Sequence, residues 1–133
     1  MTETFREYEK TQRALTFSEM EALHDEIVTE IGNDEESMEI YAELVQKAAE
    51  YSAMRTKWML SDPAGRADMD ASRTAKHDSL IVKLNMLARF LKMQGKTTGW
   101  RETLGYEEDD PYNRKRIGDF GCYLSFVAAV NAR

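Results

Sequence analysis

Between Ile117 and Val130 only Asp119 and Ser125 are clearly polar. A helix that is apolar on nearly every side belongs in the middle of a domain, with other helices around it. Gly118 and Gly121 lie in the same stretch. Each costs helix propensity, and the cost is offset where a neighbouring backbone must come close. This segment constrains the architecture more than any other: a central C-terminal helix and a surround of earlier ones.

The rest of the chain can supply that surround. Helical spacing recurs, no segment alternates apolar and polar over a strand's length, and glycine (7) and proline (2) are scarce. Residues 1–15, with Phe5, Tyr8 and Leu15, are expected to form at most a short, frayed helix. Thr16 and Glu19 make a capping box. The helix behind them carries Met20, Leu23, His24, Ile27, Val28 and Ile31 on one stripe and stops at Gly32. Asn33 is predicted to cap the next helix, with Glu35 and Glu36 in its first turn. Its stripe runs Met38, Tyr41, Leu44, Val45, Ala48, Tyr51, Arg55, Trp58 and Met59. Ser61-Asp62-Pro63 with Gly65 marks a break, and Asp68 or Asp70 is predicted to begin a third long helix. That helix aligns Arg73, His77, Leu80, Ile81, Leu84, Leu87, Ala88 and Leu91, and ends at Gly95. Trp100 and Leu104 pin a short turn, and an acidic loop over 107–110 leads to Pro111 and the last helix. The expectation is an all-α fold: one domain over 1–133, a helical bundle of four to six helices with a buried C-terminal helix.

Composition narrows the function classes. Apolar residues make up 42% and charged residues 32%, which excludes disorder and a membrane-embedded chain. No apolar run approaches the roughly 20 residues that span a bilayer. Glu3, Glu7 and Glu9 speak against a signal or transit peptide. The lone Cys122 excludes an intramolecular disulfide and reads as an inert core thiol, so a cytoplasmic location is expected. The net charge of −6 is uneven: residues 1–62 hold 15 acids and 6 bases, residues 63–133 hold 9 and 12. That balance argues against general nucleic-acid binding and suggests two halves that pack together.

The inward ionisable groups carry what chemistry there is. A carboxylate at Asp119, on a helix buried all round, needs a cation or several donors. Arg73, His77, His24 and Arg55 fall on inward stripes, and Arg73 and His77, four apart, share a face. The expected arrangement is a buried polar cluster of Arg73, His77, Asp78 and Asp119 with no cofactor. In it Arg73 pairs with Asp119, His77 donates to a carbonyl, and Asp78 lies at the rim.

The alternative is a divalent metal site. His24, then His77-Asp78, then Asp119 resemble in order the ligands of the HD-domain metal-dependent phosphohydrolases. The resemblance implies that these four residues hold a metal that activates water against a phosphoester. Glu36-x-x-Glu39 with Glu43 supplies half of the magnesium motif of helical nucleotide pyrophosphohydrolases, but no Glu-x-x-Asp follows. An exposed acidic face accounts for it. Gly95-Lys96-Thr97 lacks the earlier glycine and preceding strand of a P-loop.

Over the last half of the chain, Arg73 to Ile81, Gly95 to Trp100 and Arg116-Ile-Gly-Asp-Phe120 resemble an uncharacterised family of short helical proteins from Gram-positive bacteria. The resemblance implies the fold and the Arg73, His77 and Asp119 cluster, and no reaction. Function is thus expected to lie in protein–protein contact, with a partner or a second copy, and without a membrane. The alternatives are the HD-like phosphohydrolase and a nucleic-acid-associated regulator using Arg114, Lys115, Arg116, Lys96 and Arg101.

Overall fold

Thr16 caps the first helix as its spacing predicts. Its hydroxyl accepts from the Glu19 N–H at 3.1 Å, and the Glu19 carboxylate accepts from the Thr16 N–H at 3.1 Å. The structure, a computed structural model, describes residues 15–106, 112 and 114–131. The expectations for residues 1–14, the acidic loop and Pro111 lie outside them. Within them are α1 (Phe17–Ile31), α2 (Glu35–Leu60), α3 (Pro63–Met93), the single turn α4 (Trp100–Thr103) and α5 (Arg114–Asn131). No strand occurs among the described residues, and the fold is an all-α bundle.

Two helix starts differ from expectation. Asp34, not Asn33, caps α2: its carboxylate accepts from the Ser37 N–H at 2.9 Å and from Gln94 Nε2 at 3.0 Å. An ionised carboxylate that a distant amide also engages is the better acceptor at this corner. And α3 begins at Pro63, a turn or more before Asp68 and Asp70. Asp62 Oδ1 accepts from the Gly65 N–H at 2.8 Å, and Pro63 sits where its missing N–H is not needed. Arg66 then donates to the carbonyls of Trp58 and Met59, both at 3.1 Å, satisfying the open end of α2. The break at Ser61-Asp62 is therefore the tight corner of an α2–α3 hairpin.

The core lies where α5 meets α2, α3 and α1. Ile117, Phe120, Leu124 and Val127 are at most 1% exposed, in one buried cluster with Leu44, Leu80, Leu84 and Ile27. Gly118 and Gly121 are where α2 and α3 press close on α5: a Cβ on Gly121 would stand 2.7 Å from Leu80 Cδ1 of α3 and 2.9 Å from Tyr51 Cδ2 of α2. Farther along, α5 is not buried all round, since Phe126 and Val130 are exposed. Met38 and Met59, placed on the inward stripe from spacing, are also exposed. Trp100 and Leu104 are fully buried and pin the α3–α5 connection, and the Trp100 indole N–H donates to Glu30 of α1 at 3.1 Å. Among the described residues no helix is long and apolar enough to cross a membrane.

Candidate anion-binding cleft

Near the α2–α3 corner the inward stripes of both helices turn from apolar to polar. Tyr51, Arg55 and Trp58 of α2 face Arg73, Thr74 and His77 of α3 across a cleft that the start of α5 closes with Arg114, Lys115 and Gly118. The cleft encloses about 430 Å3. Among the described residues, four cationic side chains line it and no carboxylate does. Gly118 keeps it open: a Cβ there would meet the Tyr51 hydroxyl at 3.0 Å and Arg55 Nη1 at 3.3 Å.

The carboxylates sit behind the cations. Asp119 lies 3.5 Å from Arg55 Nη1 and accepts from the Leu15 N–H at 3.0 Å. Asp78, exposed at the rim, pairs with Arg114 at 3.1 Å. Asp70 accepts from the Trp58 indole N–H at 2.9 Å and stands 3.9 Å from Arg73. The Arg73 and Arg66 guanidiniums each lie 4.7 Å from the Trp58 ring centroid. Such a frame holds the long cationic side chains in place.

His77 is packed into this frame. Its Nε2 donates to the Arg114 carbonyl at 2.9 Å, and its ring meets the Tyr51 ring edge-on. Burial lowers its pKa and favours the neutral ring; the Arg114 carbonyl and Asp78 oppose that shift, and the Arg114 and Arg73 charges add to it. Among the described residues, two buried atoms of this region, Arg73 Nε and His77 Nδ1, are without a hydrogen-bond partner.

Of the predicted polar cluster, Arg73, His77 and Asp78 do gather at one place, with Asp78 at the rim. Asp119 does not join Arg73. It takes Arg55, the other inward cation, because α5 crosses α2 at that height and Arg73 is drawn to Trp58 and Asp70. The metal set is not assembled either. His24 Nδ1 shares a 2.6 Å hydrogen bond with the Tyr41 hydroxyl inside the α1–α2 contact, and burial lowers its pKa. Among the described residues no three of His, Cys, Asp and Glu converge tightly enough to hold a metal ion, so His24, His77, Asp78 and Asp119 form no ligand shell.

The basic set expected of a nucleic-acid surface is dispersed. Arg101 is buried, 3.5 Å from the Tyr106 ring centroid, with its guanidinium donating to Tyr112 and Asn85. Arg116 donates to the Thr103 carbonyl at 2.7 Å. Glu43 pairs with Lys83, while Glu36 and Glu39 stay exposed on the acidic face. Cys122 is half-buried, packed against the core, and accepts from Arg55 Nη1 at 3.4 Å. Spacing alone had placed Tyr51, Arg55 and Trp58 in the core stripe. The available signal was two inward arginines, Arg55 and Arg73, on adjoining helices near one corner.

No family model, curated protein or solved structure matches this chain.

Proposed function

We propose that the protein acts by binding a small anionic ligand in the cleft between α2, α3 and the start of α5. The observation that carries this reading is the meeting of Arg55, Arg73, Arg114 and Lys115, from three helices, around one opening with no carboxylate among the described residues of its wall. Like charges brought together repel, and an anion relieves that repulsion while accepting charge-assisted hydrogen bonds worth roughly 1.5–3 kcal/mol each. Trp58 on the same wall provides the signal. Titrating inorganic phosphate, sulfate and citrate should change its fluorescence, and the change should weaken with salt. Arg73→Ala should abolish it, and Arg89→Ala, on the exposed side of α3, should not. A flat titration with every anion at low salt would overturn the proposal.

A second reading, action through protein contact, is supported by a separate feature. Phe126 (59% exposed) and Val130 (52%) project from α5 beside Phe17, whose ring meets those of Tyr123 and Phe126 at 5.7 Å. An exposed aromatic group of this kind marks contact surfaces. Self-association through it predicts a concentration-dependent mass in sedimentation that Phe126→Asp removes. A single monomeric mass at every concentration would exclude the second-copy form. Kinship with the short helical proteins of Gram-positive bacteria is likewise a proposal, and it adds no activity.

A further inference from the structure

We propose that the cleft takes a linear polyvalent anion of the pyrophosphate or tripolyphosphate kind. One end lies between Arg55 and Arg73, and the other displaces Asp78 from Arg114. This rests on the anion-binding reading and names its ligand class.

The cations are open to a ligand and stand at different heights along the cleft. The side chains of Arg55 and Arg73 are 29% and 31% exposed, and that of Arg114 is 62% exposed. Arg73 reaches back toward the start of α3, to Asp70 at 3.9 Å and to the Trp58 ring. Arg114 meets Asp78 at 3.1 Å. Asp70 and Asp78 are eight residues apart on α3, about 12 Å of helix rise. Arg55 belongs with Arg73: both charges act on the Tyr51 hydroxyl, and Arg55 Nη1 stands 3.3 Å from the place of a Gly118 Cβ. The cleft thus has an inner cationic end on α2 and α3 and an outer one at the start of α5. His77 keeps the outer end in place, since its Nε2 donates to the Arg114 carbonyl at 2.9 Å.

A single tetrahedral anion engages one of these ends. A chain of two or three phosphoryl groups carries charged oxygens at both of its own ends, and guanidinium forks match such oxygens well. The volume of about 430 Å3 is large for one tetrahedral anion and falls within the range of small-molecule sites. Asp78 already holds the place of the outer group. It is 55% exposed, and an exposed ion pair of this kind contributes little, so a ligand displaces it at small cost. Asp119, buried behind Arg55, stays where it is. Once the inner group is bound, the outer one reaches Arg114 as an intramolecular step and adds affinity without a second encounter.

Calorimetry on the whole chain tests this with sodium phosphate, sodium pyrophosphate and sodium tripolyphosphate near pH 8, at one fixed ionic strength and without divalent cations. Affinity should climb with chain length, tripolyphosphate binding at least about tenfold more tightly than phosphate. Asp78→Asn removes the competitor and should tighten tripolyphosphate by about two- to fivefold, and phosphate by less. Arg114→Ala removes the outer cation and should erase the climb. Both side chains are exposed, so neither substitution opens the core, and the unmodified chain already decides the main point. Equal affinities for the three anions would overturn this inference while leaving anion binding intact. So would a climb that survives Arg114→Ala, which is attraction by charge alone, or an Asp78→Asn chain that binds tripolyphosphate no more tightly. No binding of any anion would overturn both.

Discussion

Arg55 Nη1 lies 3.5 Å from the Asp119 carboxylate, and the same carboxylate accepts from the Leu15 N–H at 3.0 Å. One buried anion thereby ties α2, and the residue just before α1, to α5. Asp119→Ala leaves an inward guanidinium without its counterion and a buried N–H without its acceptor. The expected cost is about 2–4 kcal/mol, read from urea unfolding. Arg73→Ala, whose ion pair with Asp70 is long and exposed, should cost less than about 1 kcal/mol. The reverse order would place the pairing on Arg73.

Gly121→Ala tests the closest approach in the core. The added Cβ would stand 2.7 Å from Leu80 and 2.9 Å from Tyr51, both buried side chains with little room to move. Overpacking of about 1–3 kcal/mol should outweigh the helix-propensity gain of about 1 kcal/mol. The variant should therefore unfold at lower urea. Gly118→Ala meets the Tyr51 hydroxyl and Arg55 Nη1 instead, and should show up as weaker phosphate binding.

The two histidines predict an acid limb. Burial lowers both pKa values below the ordinary 6.5. Between that value and the folded pKa the unfolded chain binds more protons than the folded one. Stability therefore rises with pH through this window and is lost as pH falls from 6.5 toward the folded values. Thermal midpoints measured from about pH 7 down to about pH 5 should fall, and His24→Gln should flatten the slope. A midpoint that rises as pH falls through 6.5 contradicts the burial of both rings.

The α2 cap separates two neighbours that sequence alone could not rank. Asp34 accepts from Ser37 and Gln94, and these hydrogen bonds lower its pKa. Asp34→Ala should lower the unfolding midpoint clearly, whereas Asn33→Ala should leave it within error. Equal effects would mean that the cap is shared.

How far the chain could be read depends on how local each signal is. The Thr16–Glu19 box lies within four residues, and the inward stripes recur every three to four, so helices and their buried faces follow from neighbours in sequence. The start of α3 was misjudged because Gly65 and the acids after it resemble a loop, while Asp62-Pro63 already provides a cap and a first turn. Arg55 and Arg73 were both legible as inward cations. Which of them meets Asp119 was not.

The sequence by itself determined an all-α chain, a C-terminal helix apolar on nearly every side, and an inward set of ionisable groups in need of partners. Tertiary structure alone decided that Asp119 takes Arg55, that His24 is shut away against Tyr41, and that Arg73 and His77 face a cleft with Arg114 and Lys115. The physical reason is that periodicity sets which side of a helix a residue occupies, while the height at which two helices cross depends on how their side chains interlock. Two inward residues on the correct faces still miss each other if their helices cross a turn apart.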